Sequence, residues 1–478
     1  MATDPDSHRT TAPTVITMGF ATTVGMWFVG YVCMTSPGLV VGEVLFVAML
    51  VLLVAGGLIG SRLTARWSTG FKIGFVTATV NLLLIGALAS EDRNDPWVLQ
   101  LMSFMNHKVH LRVESPSMLA WIAGSYGVSI LLCGIGGLVG ARMRPITAVP
   151  SPSCLFAIVA SSTVFLLLIT GGLVTGLEAG LAVPDWPNSF GHNMLLYPLS
   201  EMTGGIYYEH AHRLYGMLVG LTVLVMTVLM FACERRRWIG WLTAVVLLMV
   251  CLQGLMGGLR VTGTLTLSQD ATQLSPSTIL AIIHGVFGQV VFCMLVLIAA
   301  FTSRTWLEGS RRTIPGAVSD TWVSALLVLV LLVQLVLGAC YRHLHGHSDG
   351  TEGLLYPAWA LYGHAMNATL VLIVGAVCGL KCWSNHREIP IVRRTGASIL
   401  ILIGIQLLLG VGALIVVLLR RDAEIPIYEV IVTTVHQATG ALLLAMAVLL
   451  LAWNGRLLEE AGSHAAVSRD GLIAQPRA

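Results

Sequence analysis

Charge is scarce in this chain. Asp, Glu, Lys and Arg make up only 11% of its 478 residues, where a soluble domain carries about 25%. With 56% hydrophobic residues and a mean hydropathy of +0.82, that scarcity excludes an ordinary soluble fold. The net charge is +3, which gives no electrostatic footprint for nucleic acid. The nine cysteines include no C-x-x-C pair, and the 175–207 stretch holds none. Neither a structural disulfide nor a Cys-bound zinc is therefore expected. The polar N-terminus lacks the basic and small-residue features of a cleaved signal, so the first apolar run is expected to remain as a span.

Long apolar runs are abundant instead. A helix needs roughly 20 apolar residues to cross the hydrocarbon core. By that measure twelve spans are expected, near 15–36, 40–60, 71–89, 117–141, 154–175, 207–231, 238–258, 276–301, 321–341, 357–380, 396–419 and 428–453. The fold class is thus an all-α polytopic membrane protein. Alternate loops carry clustered basic residues: Arg62, Arg66 and Lys72; Arg142 and Arg144; Arg235, Arg236 and Arg237; Arg304, Arg311 and Arg312; Lys381, Arg387, Arg393 and Arg394. The positive-inside rule places these loops, and with them both termini, in the cytoplasm. Arg420 and Arg421 fall on the opposite side, offset in part by Asp422 and Glu424.

Four histidines lie within the apolar runs. His212 and His284 are 72 residues apart, and so are His364 and His436; both members of the second pair follow their counterparts by 152. Ionisable groups at membrane depth are rare and point to function, and imidazole is a common ligand of metals, haem iron included. Gln253-xxx-Gly257 and His284-xxx-Gly288 recur as Gln406-xxx-Gly410 and His436-xxx-Gly440. The last eight spans therefore read as a tandem pair of four-helix bundles, an arrangement that places ligands on facing helices. The Pro- and Arg-containing stretch Ala141–Ser153 divides them from the first four spans. Three domains are expected: 1–150, a four-span region of open role; 151–315, a first haem unit; and 316–478, a second. Glycine four residues after His284 and His436 would give a flat macrocycle room to approach the backbone.

The halves differ beside their first histidine. Glu209, three residues before His212 and on the same helix face, has Leu361 as its counterpart, and Arg213 has Ala365. A carboxylate beside only one ligand suggests a reactive first site and an electron-carrying second site. Glu209 there would take up a proton or stabilise developing charge. Arg213 would pair with a haem propionate. Asp185 and Trp186 either anchor the interface or cap the haem pocket. Gln253 and Gln406 read as interhelical hydrogen-bonding residues. His210 points to another face than His212, and Glu178 reads as structural. His343, His345 and His347, like His107 and His110, read as loop residues.

Taken together, these residues give a resemblance. Over about 154–455 the chain resembles the haem A synthases of the Cox15/CtaA type, membrane enzymes that oxidise a methyl group of haem O to a formyl group. The similarity rests on Gly171-Gly172, the loop from Gly180 through Pro184, Asp185 and Trp186 to Pro187, the Glu209-xx-His212-Arg213 element, and His284, His364 and His436. It implies that His212 and His284 bracket the substrate haem O, that His364 and His436 ligate a resident haem b, and that Glu209 is the catalytic glutamate. It also implies a role in cytochrome oxidase biogenesis in a bacterial inner membrane. Partners would be a protohaem farnesyltransferase that supplies haem O, an electron partner of unspecified identity, and the bilayer. Unlike many bacterial members, the chain has no Cys pair in its first outer loop, where Val183 and Asn188-Ser189 stand. The first four spans lie outside the eight-span pattern. Two other readings share the same histidines: a di-haem b electron carrier that leaves haem unmodified, and a transporter built from repeats.

Overall fold

A computed structural model describes residues 11–34, 42–84, 118–198, 201–262, 277–344, 346–347, 354–355, 357–420 and 425–461. Twelve long helices carry the architecture: α1 (Thr11–Met34), α2 (Gly42–Thr64), α3 (Ser68–Leu84), α4 (Met118–Arg142), α5 (Pro152–Gly176), α6 (Gly204–Cys233), α7 (Arg237–Thr262), α8 (Thr278–Phe301), α9 (Ala317–His343), α10 (Ala358–Asn385), α11 (Pro390–Leu419) and α12 (Ile427–Leu457). Eleven are long and apolar enough to cross a membrane, and α3, with 17 described residues, is the shorter twelfth. The expected spans and the all-α class are thus present. Among the described residues, strand is confined to pairs of two or three residues. Apolar runs become helices here because a helix satisfies its own backbone hydrogen bonds in lipid.

The chain separates into two compact units, 1–276 and 277–478. In the first, α1 to α4 pack on one another, α1 also lies against α5 and α6, and α5, α6 and α7 follow as neighbours. Small residues set the spacing. A Cβ on Gly57 would collide with the Cys133 carbonyl, and one on Gly136 with the Val54 carbonyl. Glycine at these places lets α2 and α4 touch backbone to backbone, which compensates for the weak hydrophobic drive between helices in lipid.

In the second unit α9, α10, α11 and α12 close a four-helix ring, with α8 against α9 and α12. One end of this ring is fastened by polar groups. Asp320, only 4% exposed, meets Lys381 Nζ at 2.7 Å and His386 Nε2 at 2.8 Å. Asn454 donates to Ser324 Oγ at 2.9 Å, and that hydroxyl lies 3.4 Å from Cys378 Sγ. Three helices are thereby joined through groups that would be costly to bury alone. The eight described cysteines are all free. Arg420, a misfit in the charge pattern, pairs with Glu429 at 3.2 Å, so its charge is neutralised within the protein. Asp422 and Glu424, expected to offset it, lie outside the described residues, as do His107, His110 and His345.

Candidate functional site

The second unit brings two of the candidate ligands together. His364 on α10 and His436 on α12 stand with ring centroids 6.3 Å apart and planes at 70°. Imidazole bonds a metal at about 2 Å, and its nitrogen lies roughly 1.1 Å from the ring centre, so two rings sharing one ion sit about 6.2 Å apart. The observed spacing fits an iron held between them. The donor chemistry fits as well. His364 Nδ1–H donates to the Gln334 carbonyl on α9 at 3.1 Å, which leaves Nε2 as the nitrogen with a lone pair to offer a metal. Gln334 is itself clamped: its Nε2 donates to the His364 carbonyl at 3.1 Å and its Oε1 accepts from Asn367 at 2.8 Å. The Gln406 backbone faces His436 at the matching place, short of full hydrogen-bond geometry at Nδ1.

Glycines bring these rings close to the neighbouring helix. A Cβ on Gly338 would stand 3.0 Å from His364 Cε1, and one on Gly410 would stand 3.1 Å from His436 Cε1. Each lies four residues after its glutamine. The glycine expected to make room for a macrocycle, Gly440, faces the Gln406 amide instead, at 3.2 Å from a built Cβ. Gln406 thus extends from α11 toward α12, as its interhelical reading expects.

In the first unit His212 on α6 repeats this arrangement. A Cβ on Gly171 of α5 would again stand 3.0 Å from the ring Cε1. His212 Nδ1 lies 2.9 Å from Thr170 Oγ1, and that hydroxyl donates to the Leu167 carbonyl at 2.9 Å. A hydroxyl has one proton. With it given to Leu167, Thr170 accepts from Nδ1–H, and Nε2 is the nitrogen of His212 left without a proton. Nothing in the sequence signalled this beyond a threonine beside a glycine. Thr170→Val keeps the shape and removes the acceptor. Loss of such a supporting bond costs about 10–100-fold in metal affinity or activity. Haem retention at His212 is expected to fall about tenfold, read by titration against the parent, with the second unit unaffected.

Glu209, 4% exposed, is one turn from His212. Its Oε2 accepts from Val183 N–H at 2.8 Å, and its Oε1 accepts from Arg213 Nη2 at 2.7 Å. Arg213 also donates to the carbonyls of Val183 (2.6 Å), Asp185 (2.7 Å) and Asn188 (3.1 Å). Its four Nη–H groups thus serve Glu209 and the 183–188 loop, leaving Nε–H as the guanidinium's fifth donor. In this arrangement Arg213 staples the loop. Asp185 completes the loop by accepting from Phe190 N–H at 2.7 Å and Gly191 N–H at 2.8 Å. Burial opposes its ionisation, but these two donors and the Arg213 charge outweigh it and hold the carboxyl below its ordinary range. The Trp186 indole packs against Gly258 of α7, where a side chain would collide with it. His210, 1% exposed, meets Ser189 Oγ at 3.1 Å and lies under the Tyr197 ring at 4.9 Å. It holds the loop rather than standing with His212. His284 lies on α8 in the second unit, six residues from the helix start at Thr278.

These features define a polytopic helical membrane protein with half-buried imidazoles on its spanning helices, two of them at a spacing that fits metal or haem ligation. Comparison with known proteins narrows the class. A sequence model of the cytochrome oxidase assembly protein family, COX15-CtaA, matches residues 154–448, well over half of the chain, and the chain belongs to that family. Among its relatives is a protein named heme A synthase from Granulibacter bethesdensis, 24% identical over 257 residues, 49% of this chain and 66% of that protein. A second, also named heme A synthase, from Caulobacter sp. strain K31, is 24% identical over 348 residues, 64% of this chain and 96% of the relative. A third of the same name, from Parvibaculum lavamentivorans, is 25% identical over 231 residues, covering 43% and 62%.

Proposed function

We propose that this protein is a haem A synthase, a membrane oxidoreductase that converts the ring methyl of haem O to the formyl group of haem A for cytochrome oxidase. The observation that carries this reading is the joint presence of a histidine pair spaced for iron and a buried Glu209 beside His212, in a chain of this family. His364 and His436 are the ligands of the resident haem b, which supplies one-electron transfer when bound. His212 and His284 are the ligands of the substrate, haem O. The equal 72-residue spacing and the matching second bond at His212 and His364 support that division.

The chain's own groups then have definable tasks. Turning a methyl into a formyl group is an oxidation, so electrons must pass to an external one-electron acceptor and protons must leave the ring edge. Glu209 is the carboxylate on the His212 face of α6, and its Oε2 is the proposed acceptor. Val183 N–H and Arg213 hold that carboxylate in one orientation. The loop fastened by Arg213 and Asp185 keeps water from that carboxylate, and a low dielectric strengthens its interactions. The apolar setting suits a substrate that carries a farnesyl tail and arrives through the bilayer. A protohaem farnesyltransferase is the proposed supplier. The basic loops support a topology with both termini in the cytoplasm, in a bacterial inner membrane.

Acid extraction of haem from the purified protein, followed by chromatography, tests the reading. Haem B together with haem O or haem A is expected. Haem B alone, from cells able to make haem O, would instead identify a di-haem electron carrier.

A further inference from the structure

The helix that carries Glu209 and His212 is held along one face by a helix outside the family match. The Tyr207 hydroxyl on α6 donates to the backbone carbonyl of Tyr31 on α1 at 2.9 Å. Tyr31 stands in the last turn of α1, where carbonyls have no amide of their own helix to accept from, so Tyr207 caps that end. The two rings stack at 5.6 Å. Tyr215, further along α6, sets its edge against Tyr31 at 5.7 Å and against Trp27 at 5.4 Å. Trp27 Nε1–H in turn donates to Asn81 Oδ1 on α3 at 2.9 Å. All three centroid spacings lie in the attractive range for aromatic pairs, and these four rings are all buried.

The placement along α6 gives this contact its meaning. Tyr207 and Tyr215 are just over two turns apart, and Glu209 and His212 fall between them. With both ends of the interval gripped by α1, the segment can neither rotate nor slide. One residue of slip would turn Glu209 about 100° away from Val183 and Arg213. The Tyr31 and Tyr215 hydroxyls make no hydrogen bond among the described residues. The grip therefore uses the ring and carbonyl of Tyr31, not its phenol.

We infer that Tyr31, with Trp27, is a positioning residue for Glu209 and His212, and that the N-terminal helices are a built-in brace of the reactive helix. The inference rests on the site assignment given above. It is tested in the full-length protein purified from membranes, as parent, Tyr31→Ala, Tyr31→Phe and Tyr207→Phe. Amide hydrogen exchange over 204–216 reports local opening without any haem being needed, and the low-spin haem spectrum reports ligand geometry at each pair. Tyr31→Ala is expected to speed exchange in 204–216 about tenfold and to broaden the signal assigned to the His212 haem. Exchange in α10 and α12 and the signal of the His364/His436 haem stay as in the parent. Tyr31→Phe restores both readouts. Tyr207→Phe, which removes one hydrogen bond and opens no cavity, speeds exchange about threefold. Parent-like exchange in both Tyr31→Ala and Tyr207→Phe would overturn the brace. So would Tyr31→Phe behaving like Tyr31→Ala, since the phenol would then be the active group. A parent that holds haem only at the second pair would overturn the site assignment, while the exchange comparison still decides the brace.

Discussion

Replacing His436 with alanine is expected to halve the haem content of the purified protein. The two rings of the second unit are spaced for one iron. Loss of a supporting hydrogen bond to a ligand already costs about 10–100-fold in affinity, so loss of the ligand itself exceeds ~100-fold. His364→Ala should do the same, because each substitution leaves the opposite imidazole alone at the site. The pyridine haemochrome assay counts the haem, and the low-spin signal identifies which pair has gone. Retention of full haem in both variants would remove His364 and His436 from the ligand set. Product formation should stop with the haem if this pair carries electrons, even though Glu209 and His212 are untouched.

What the sequence disclosed about that pair was its spacing, because a repeat survives in residue numbers even when its packing does not. The spans were equally open to reading, since hydropathy over some 20 residues is a property of composition. The supports of the rings were not. Gly338 and Gly171 matter because a Cβ there would stand 3.0 Å from an imidazole carbon, and that depends on the distance and rotation between two helices. Gln334 acts through its backbone carbonyl as well as its side chain, and a carbonyl leaves no mark on a sequence. Arg213 was visible as a cation beside a glutamate, which suits a propionate as well as a loop. The three carbonyls converging on it show the loop contact, which the sequence could not. The polar fastening of Asp320, Ser324, Cys378 and Asn454 was hidden for a similar reason: its members are scattered across three apolar helices. Arg420 was a conflict for charge counting, yet a glutamate in the first turn of the next helix was the signal that resolves it.

The second large effect is expected at Glu209, where two roles must be separated. Its carboxylate is part of a nearly buried ion pair, with side chains 5% exposed for Glu209 and 9% for Arg213. Breaking such a pair by deleting one partner costs about 3–5 kcal/mol, less here because Arg213 keeps three carbonyl acceptors. Glu209→Ala therefore loosens the 183–188 loop as well as removing any proton acceptor, and cannot distinguish the two. Glu209→Gln is more informative. It keeps an oxygen for Val183 N–H and the shape of the side chain, so its structural loss is about 1 kcal/mol. Arg213→Met is the converse: it spares the carboxylate and cuts all four bonds to the loop and to Glu209. If Glu209 only anchors the loop, Arg213→Met must be the more damaging of the two. If Glu209 takes a proton from the reacting edge, Glu209→Gln must be, because a positioned proton acceptor contributes about 100-fold or more to rate. The expected order is Glu209→Gln below Arg213→Met in haem A formed per protein, with Glu209→Gln retaining the parent's melting temperature to within a few degrees. Both haems should stay bound in it, since neither of its lost interactions reaches a histidine. The reverse order would return Glu209 to the loop and leave the proton acceptor to be sought on another helix.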